Sequence, residues 1–226
     1  MKTLKHAFAL LVVIMAVSSC DVLSLHPIGT PDELIMDESL FGDWYEDNSQ
    51  DMLDDMRGAT ENFTNPDSAF LKLSQKPRYS FRQIDHRYEI LKECPELLDD
   101  DIKMGTYTYE MHLTKIDGEY WASFSPGDDN RSMRSGNIAM HTFGIKGHGM
   151  AKLKISNDEI EINFLNYNWF KDMLEKNRMR IDHQLVGGGS SPQIVLTANT
   201  AQLRAMMKRI TNEPKAFEEE ALIIHR

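Results

Sequence analysis

Residues 106–113 alternate strictly, with Tyr107, Tyr109, Met111 and Leu113 on one side of an extended chain and Thr106, Thr108, Glu110 and His112 on the other. Period two sustained over such a run belongs to a strand with one buried and one wetted face. Asp117-Gly118 follows, and 120–124 is apolar again. Asp-Gly between two β-runs favours the positive φ angles of a two-residue hairpin. The rest of the chain must therefore accommodate an antiparallel pair. Upstream, 70–74, 79–84 and 88–91 read as strands, the last running into an acidic loop over 93–101. Residues 49–66 form an uncertain excursion with a short helix around Met52, Leu53 and Met56. Downstream, 139–145, 151–155 and 160–164 read as strands, the latter two split by Asn157-Asp158. Consecutive strands joined by short turns make a meander.

The last quarter changes character. Trp169, Phe170, Met173 and Leu174 sit at helical spacing, with Asn166 or Asn168 as the cap. Leu203, Met206, Met207 and Ile210 repeat the pattern behind an Asn199–Gln202 capping box, with Lys208 and Arg209 suiting the C-terminal end of the dipole. Residues 181–186 and 194–196 read as strands around the Gly187–Pro192 turn, and 221–224 as a short final strand. The fold class expected is mainly β (α+β): an antiparallel meander with two C-terminal helices, in one domain over 40–226. Whether the sheet closes into a barrel is left open.

The amino terminus has a separate logic. Lys2 and Lys5 precede an uninterrupted apolar run over 7–17, then Ser18, Ser19 and Cys20. A positive start, a short apolar stretch and small residues make a secretory signal, and the run is too short to span a bilayer. Val17-Ser18-Ser19-Cys20 resembles the lipobox of bacterial lipoproteins. The resemblance implies that 1–19 is a signal peptide, that Cys20 carries lipid, and that the protein faces the periplasm from an envelope membrane. Asp21 resembles the inner-membrane retention signal of enteric bacteria, a rule that varies between groups, so inner and outer membranes both stay open. Residues 20–39, polar and holding Pro27, Gly29 and Pro31, read as a tether lifting the domain off the bilayer.

Gly42-Asp43-Trp44, opening the first long strand, resembles the Gly-x-Trp signature of lipocalins and lipocalin-like domains. That resemblance implies a barrel whose floor is crossed by Trp44 and whose interior holds a small apolar molecule. Departures from it are the 49–66 excursion and a helix that falls before the final strand.

Composition narrows the chemistry. The leader holds two lysines and no acid, so a chain of net charge −10 becomes −12 once it is removed. With no basic stripe evident along the sequence, nucleic acid and anionic headgroups are poor partners. With Cys20 lipidated, Cys94 is the one remaining thiol, no internal disulfide can form, and Lys-Glu-Cys-Pro-Glu is too acidic a setting to activate it. No nucleophile elbow, phosphate loop, His-Glu-x-x-His or paired Cys-x-x-Cys occurs. His112, His141 and His183 are the histidines a meander could gather around a metal, and the methionines read as core. No cofactor is called for. The function expected is noncatalytic, either holding an apolar ligand against Trp44, Tyr107, Tyr109, Trp121 and Phe143 or engaging another envelope protein, with a hydrolase third. Cys20→Ala should abolish lipid labelling and release the protein from membranes in cell fractionation; unchanged attachment would remove the anchor.

Overall fold

The computed structural model describes residues 22–47, 50–61, 63–98, 101–127, 147–187 and 192–226. Eight strands form a closed antiparallel barrel: β2 (Gly42–Glu46), β3 (Arg78–Ile84), β4 (Arg87–Leu98), β5 (Asp101–Ile116), β6 (Glu119–Pro126), β7 (His148–Ile155), β8 (Glu159–Phe164) and β11 (Leu222–His225). Each pairs with the next, and β11 lies between β8 and β2 to complete the ring. This up-and-down architecture is the one the Gly42–Trp44 resemblance implies. A side sheet continues from the edge of β7, where β1 (Val22–Ser24) pairs with Gly149 and His148, β10 (Gln193–Leu196) lies parallel to β1, and β9 (His183–Val186) closes the row.

The hairpin chemistry is as the sequence requires. Asp117 and Gly118 take φ of 52° and 88°, the turn that matches strand twist, and Ile116 faces Glu119 across it. Among the described residues four helices complete the fold: α1 (Gln50–Thr60), α2 (Pro66–Leu73), α3 (Tyr167–Glu175) and α4 (Thr200–Ile210). Asn166 Oδ1 accepts from Trp169 N, and Asn199 and Gln202 make the reciprocal capping box.

Three expectations are corrected. Residues 70–74 are not a strand. Asn65 caps α2 and Pro66 starts it, and Ala69 and Leu73, one helical turn apart, are its buried pair. The acidic stretch from Glu93 is not a loop as far as Leu98, because β4 continues there in register with β5. Pro95 is tolerated because β3 stops pairing at Glu93, and among the described residues no other strand pairs with this part of β4 on that side. Nor is 22–39 a tether. Val22, Leu23, Ser24 and Ile28 are all buried, Ile28 N donates to Ser123 Oγ at 2.9 Å, and Ile35 N to Leu113 O.

Two large apolar cores result, besides a smaller cluster between α1, α2 and β5. The barrel interior holds Trp44, Tyr88, Met111, Leu113, Leu153, Ile160 and Ile224, each at most 2 % exposed. Outside the wall of β5–β7, α3, α4, β1 and β10 enclose Trp121, Met150, Phe170, Leu203, Met207 and Ile210. The barrel floor is closed by the segment before β2. Trp44 is fully buried, its Nε1 donating to Leu40 O at 2.9 Å, and the Arg226 guanidinium lies 4.8 Å from its ring centre. Arg226 also donates to Ser39 O (2.6 Å) and Phe41 O (3.1 Å). Asp37 Oδ2 accepts from Tyr120 Oη at 2.7 Å, and hydrogen bonds from Ser39 and Tyr120 hold the Asp37 carboxyl below the usual range. Trp44→Ala should cost about 3–5 kcal/mol of unfolding free energy, the range for a buried aromatic that leaves a cavity. Urea denaturation with an unchanged midpoint would show that the floor does not hold the barrel.

Candidate functional site

The strand register divides the barrel interior into two zones. Ile90 and Tyr109 face each other across β4–β5 in the core, so Lys92 with Tyr107, Cys94 with Gly105, and Glu96 with Lys103 share their face further along. On β2, Glu46 stands two residues beyond the inward Trp44, and Trp44 pairs with Tyr79 of β3. The floor half is thus apolar and filled. Toward the other end, where β2 hands over to α1 and β4–β5 outrun their neighbours, polar side chains replace the apolar ones.

Tyr79 Oη donates to Glu46 Oε2 at 2.6 Å, and Lys92 Nζ lies 5.0 Å from the centre of the Tyr79 ring. Burial and the facing Glu46 carboxylate push the Tyr79 phenol well above its ordinary value. Burial also raises the Cys94 thiol; Lys92 works against this, and Glu96 and Glu46 add to it. A raised thiol holds less thiolate at neutral pH. Glu96 is incompletely satisfied. Its carboxylate occupies the space beside Gly105, where an added Cβ would lie 2.0 Å from Glu96 Oε1. That oxygen is occluded from solvent without a hydrogen-bond partner, and desolvation raises the Glu96 pKa. The mouth therefore offers a carboxylate with spare accepting capacity, an ammonium, and a phenol–carboxylate pair above an apolar plug.

α1 and α2 pack at this end. Met56, Ala69 and Leu73 close on Ile102 of β5, and the Arg57 guanidinium stacks 4.2 Å from the Phe70 ring centre. Beside them Leu71 and Met104 are 68 % and 52 % exposed.

The candidates drawn from the sequence scatter. Trp44 is in the floor, Tyr109 borders the barrel core, and Tyr107 is half-exposed in the mouth. Trp121 faces outward, buried in the second core with its ring 5.9 Å from that of Phe217, so it does not line the interior. The odd and even positions of β6 face opposite ways, and α4 and Phe217 cover the face that carries Trp121. Cys20, His141 and Phe143 lie outside the described residues. His112 sits on the outer face, its ring 6.2 Å from that of His148, a histidine the sequence reading passed over. His183 is exposed on β9, three strand steps from His148, with its Nδ1 2.9 Å from Ile181 O. Glu110 shares the outer face with His112 and is engaged by Arg87 at 3.4 Å. Among the described residues no three His, Cys, Asp or Glu are grouped to hold a metal. The mouth residues Glu46, Tyr79, Lys92 and Glu96 were missed, and Cys94 was weighed only as a thiol. The i, i+2, i+4 spacing of Lys92, Cys94 and Glu96, continuing the Tyr88 and Ile90 face, was the available signal.

The Glu96 geometry sets a pH dependence. Its folded pKa lies above the ordinary value of 4.5, so the ionisation penalty is absent below that value and grows as pH rises through the folded one. Glu96→Gln should therefore raise the denaturation midpoint at neutral pH and change it little at pH 4. A midpoint lowered at pH 7 would mean that the charge is stabilised by something other than these neighbours. No family model, curated protein or solved structure matches this chain.

Proposed function

We propose that this protein is an envelope lipoprotein, cut before Cys20 and held on a membrane by lipid on that residue, whose barrel binds a small amphipathic molecule at its mouth without chemical transformation. The observation that carries the reading is the partition of the interior, with a filled apolar floor beneath a polar mouth in which one Glu96 oxygen is occluded and unpaired. A buried acceptor without a donor costs free energy that a ligand donor would recover. The apolar part of such a ligand would lie against Tyr107 and Tyr109, and its polar end would meet Glu96 and Lys92. With the floor occupied by Trp44, Tyr88 and Met111, the ligand sits shallowly rather than filling the barrel. Eight strands enclose room for side chains or for one small ligand, and here the two share it.

A second reading, an interaction module of the envelope, draws on Leu71 and Met104. These large apolar side chains stand exposed on α2 and β5. Exposed apolar patches of this kind mark contact surfaces when they are contiguous.

Native mass spectrometry of the full protein purified from its own host separates the two. A stoichiometric small-molecule adduct, reduced by Lys92→Ala together with Glu96→Ala, is the expected result. An empty protein that crosslinks in intact cells through positions 71 and 104 would replace ligand carriage by the interaction reading.

A further inference from the structure

Gly105 stands in the interior of β5, where the ladder with β4 runs unbroken from the Tyr88–Met111 pair to the Leu98–Asp101 pair. A glycine inside a strand gives up a side chain that could pack, and it marks a bulge, a bend or a close approach. The one-for-one register leaves no bulge here. Nor does the backbone ask for glycine, because the positive φ angles among the described glycines belong to Gly42, Gly118 and Gly187.

What Gly105 leaves room for is the side chain of Glu96. A Cβ at 105 would lie 2.0 Å from Glu96 Oε1, 2.2 Å from its Cδ and 2.9 Å from its Cγ. Glu96 follows two residues after Cys94, the partner of Gly105, so its carboxylate folds back diagonally across the ladder onto the inner face. At Gly127, by contrast, an added Cβ would also meet the Thr108 carbonyl oxygen at 3.1 Å. At 105 the three nearest atoms all belong to one flexible side chain. An alanine there turns the carboxylate away and leaves the strand in place.

The groups that share this face are Lys92 and Cys94 on β4, Glu46 on β2 and Tyr79 on β3. The Lys92 ammonium lies over the Tyr79 ring, and Glu46 accepts from the Tyr79 hydroxyl. Glu96 Oε1 has no donor among the described residues, and desolvation penalises its charge.

From this packing we infer that Gly105 is the positioning residue of the mouth: it holds the Glu96 carboxylate against the inner wall, where that carboxylate selects an amphipathic ligand whose polar end is an amine. The inference rests on the mouth being a ligand site. An ionised carboxylate accepts and cannot donate, and a cationic N–H is among the donors it binds most strongly. An anionic polar end would instead face both Glu46 and Glu96, against one lysine whose ammonium already lies over a ring.

Native mass spectrometry of the full protein from its own host, together with urea denaturation, tests this. The adduct released from the wild-type protein should react with dansyl chloride, an amine reagent. Gly105→Ala should lower adduct occupancy several-fold, and so should Glu96→Asp, which shortens the side chain without touching β5. A glycine with only a structural role would leave the pH profile unmoved. With the carboxylate turned to solvent, the ionisation penalty is relieved at pH 7 and is absent in either protein at pH 4. The urea midpoint of Gly105→Ala relative to wild type should therefore be higher at pH 7 than at pH 4. In a Glu96→Gln background the effect of Gly105→Ala should be the same at both pH values. Full occupancy in either variant, an adduct without an amine, or a Gly105→Ala effect on the midpoint that ignores pH would overturn this inference alone. A wild-type protein with no adduct would remove the ligand reading and this one with it.

Discussion

Closure of the barrel depends on a four-residue strand at the very end of the chain. β11 pairs on one side with β8 and on the other with β2, joining residues separated by almost the whole folded sequence. Arg226, immediately after it, lies over the Trp44 ring and donates to the carbonyls of Ser39 and Phe41. One end of the seam is thus locked by a cation over an indole and by its hydrogen bonds to two backbone carbonyls. A barrel has no exposed edges only if this seam forms, so the filled floor and the covered outer wall both presuppose it. Such long-range pairing also carries the loop-closure entropy that slows β-rich folds.

With the floor fixed in this way, the two ends of the barrel serve different purposes. The floor gathers Trp44, Tyr88 and Leu40 with hydrogen bonds at Asp37, and little there is left unsatisfied. The mouth keeps a raised carboxyl, a raised thiol and a lysine over an aromatic ring. Stability is concentrated where strands pair on both sides. The overhanging ends of β4 and β5, and the α1–α2 pair that packs on them, have fewer neighbours. Ligand access belongs at the less constrained end.

Much of this was legible from residues alone, for identifiable reasons. The β5–β6 hairpin announced itself through period-two alternation and an Asp-Gly turn, both local signals. Both C-terminal helices carried caps and apolar stripes within their own sequence. What failed was decided at long range. Phe70 and Leu73 look like strand residues until their helical partners on α1 are known. Glu93 to Leu98 looks like a solvated loop because its charges conceal a strand whose inward face lines an opening rather than a core. Trp121 looks like a barrel lining because nothing local says which face of β6 the α3–α4 lobe will cover.

The most direct measurement of this account is native-state hydrogen exchange across the closing seam. The amides of Ile224 and His225 on β11 should exchange only through global unfolding, with the same denaturant dependence as Met111 and Leu113 in the central hairpin. Those of α1 should exchange through smaller, local openings. If the seam amides instead exchange through local opening while the β5–β6 hairpin stays protected, the sheet is open, and neither the locked floor nor the binding mouth survives as described.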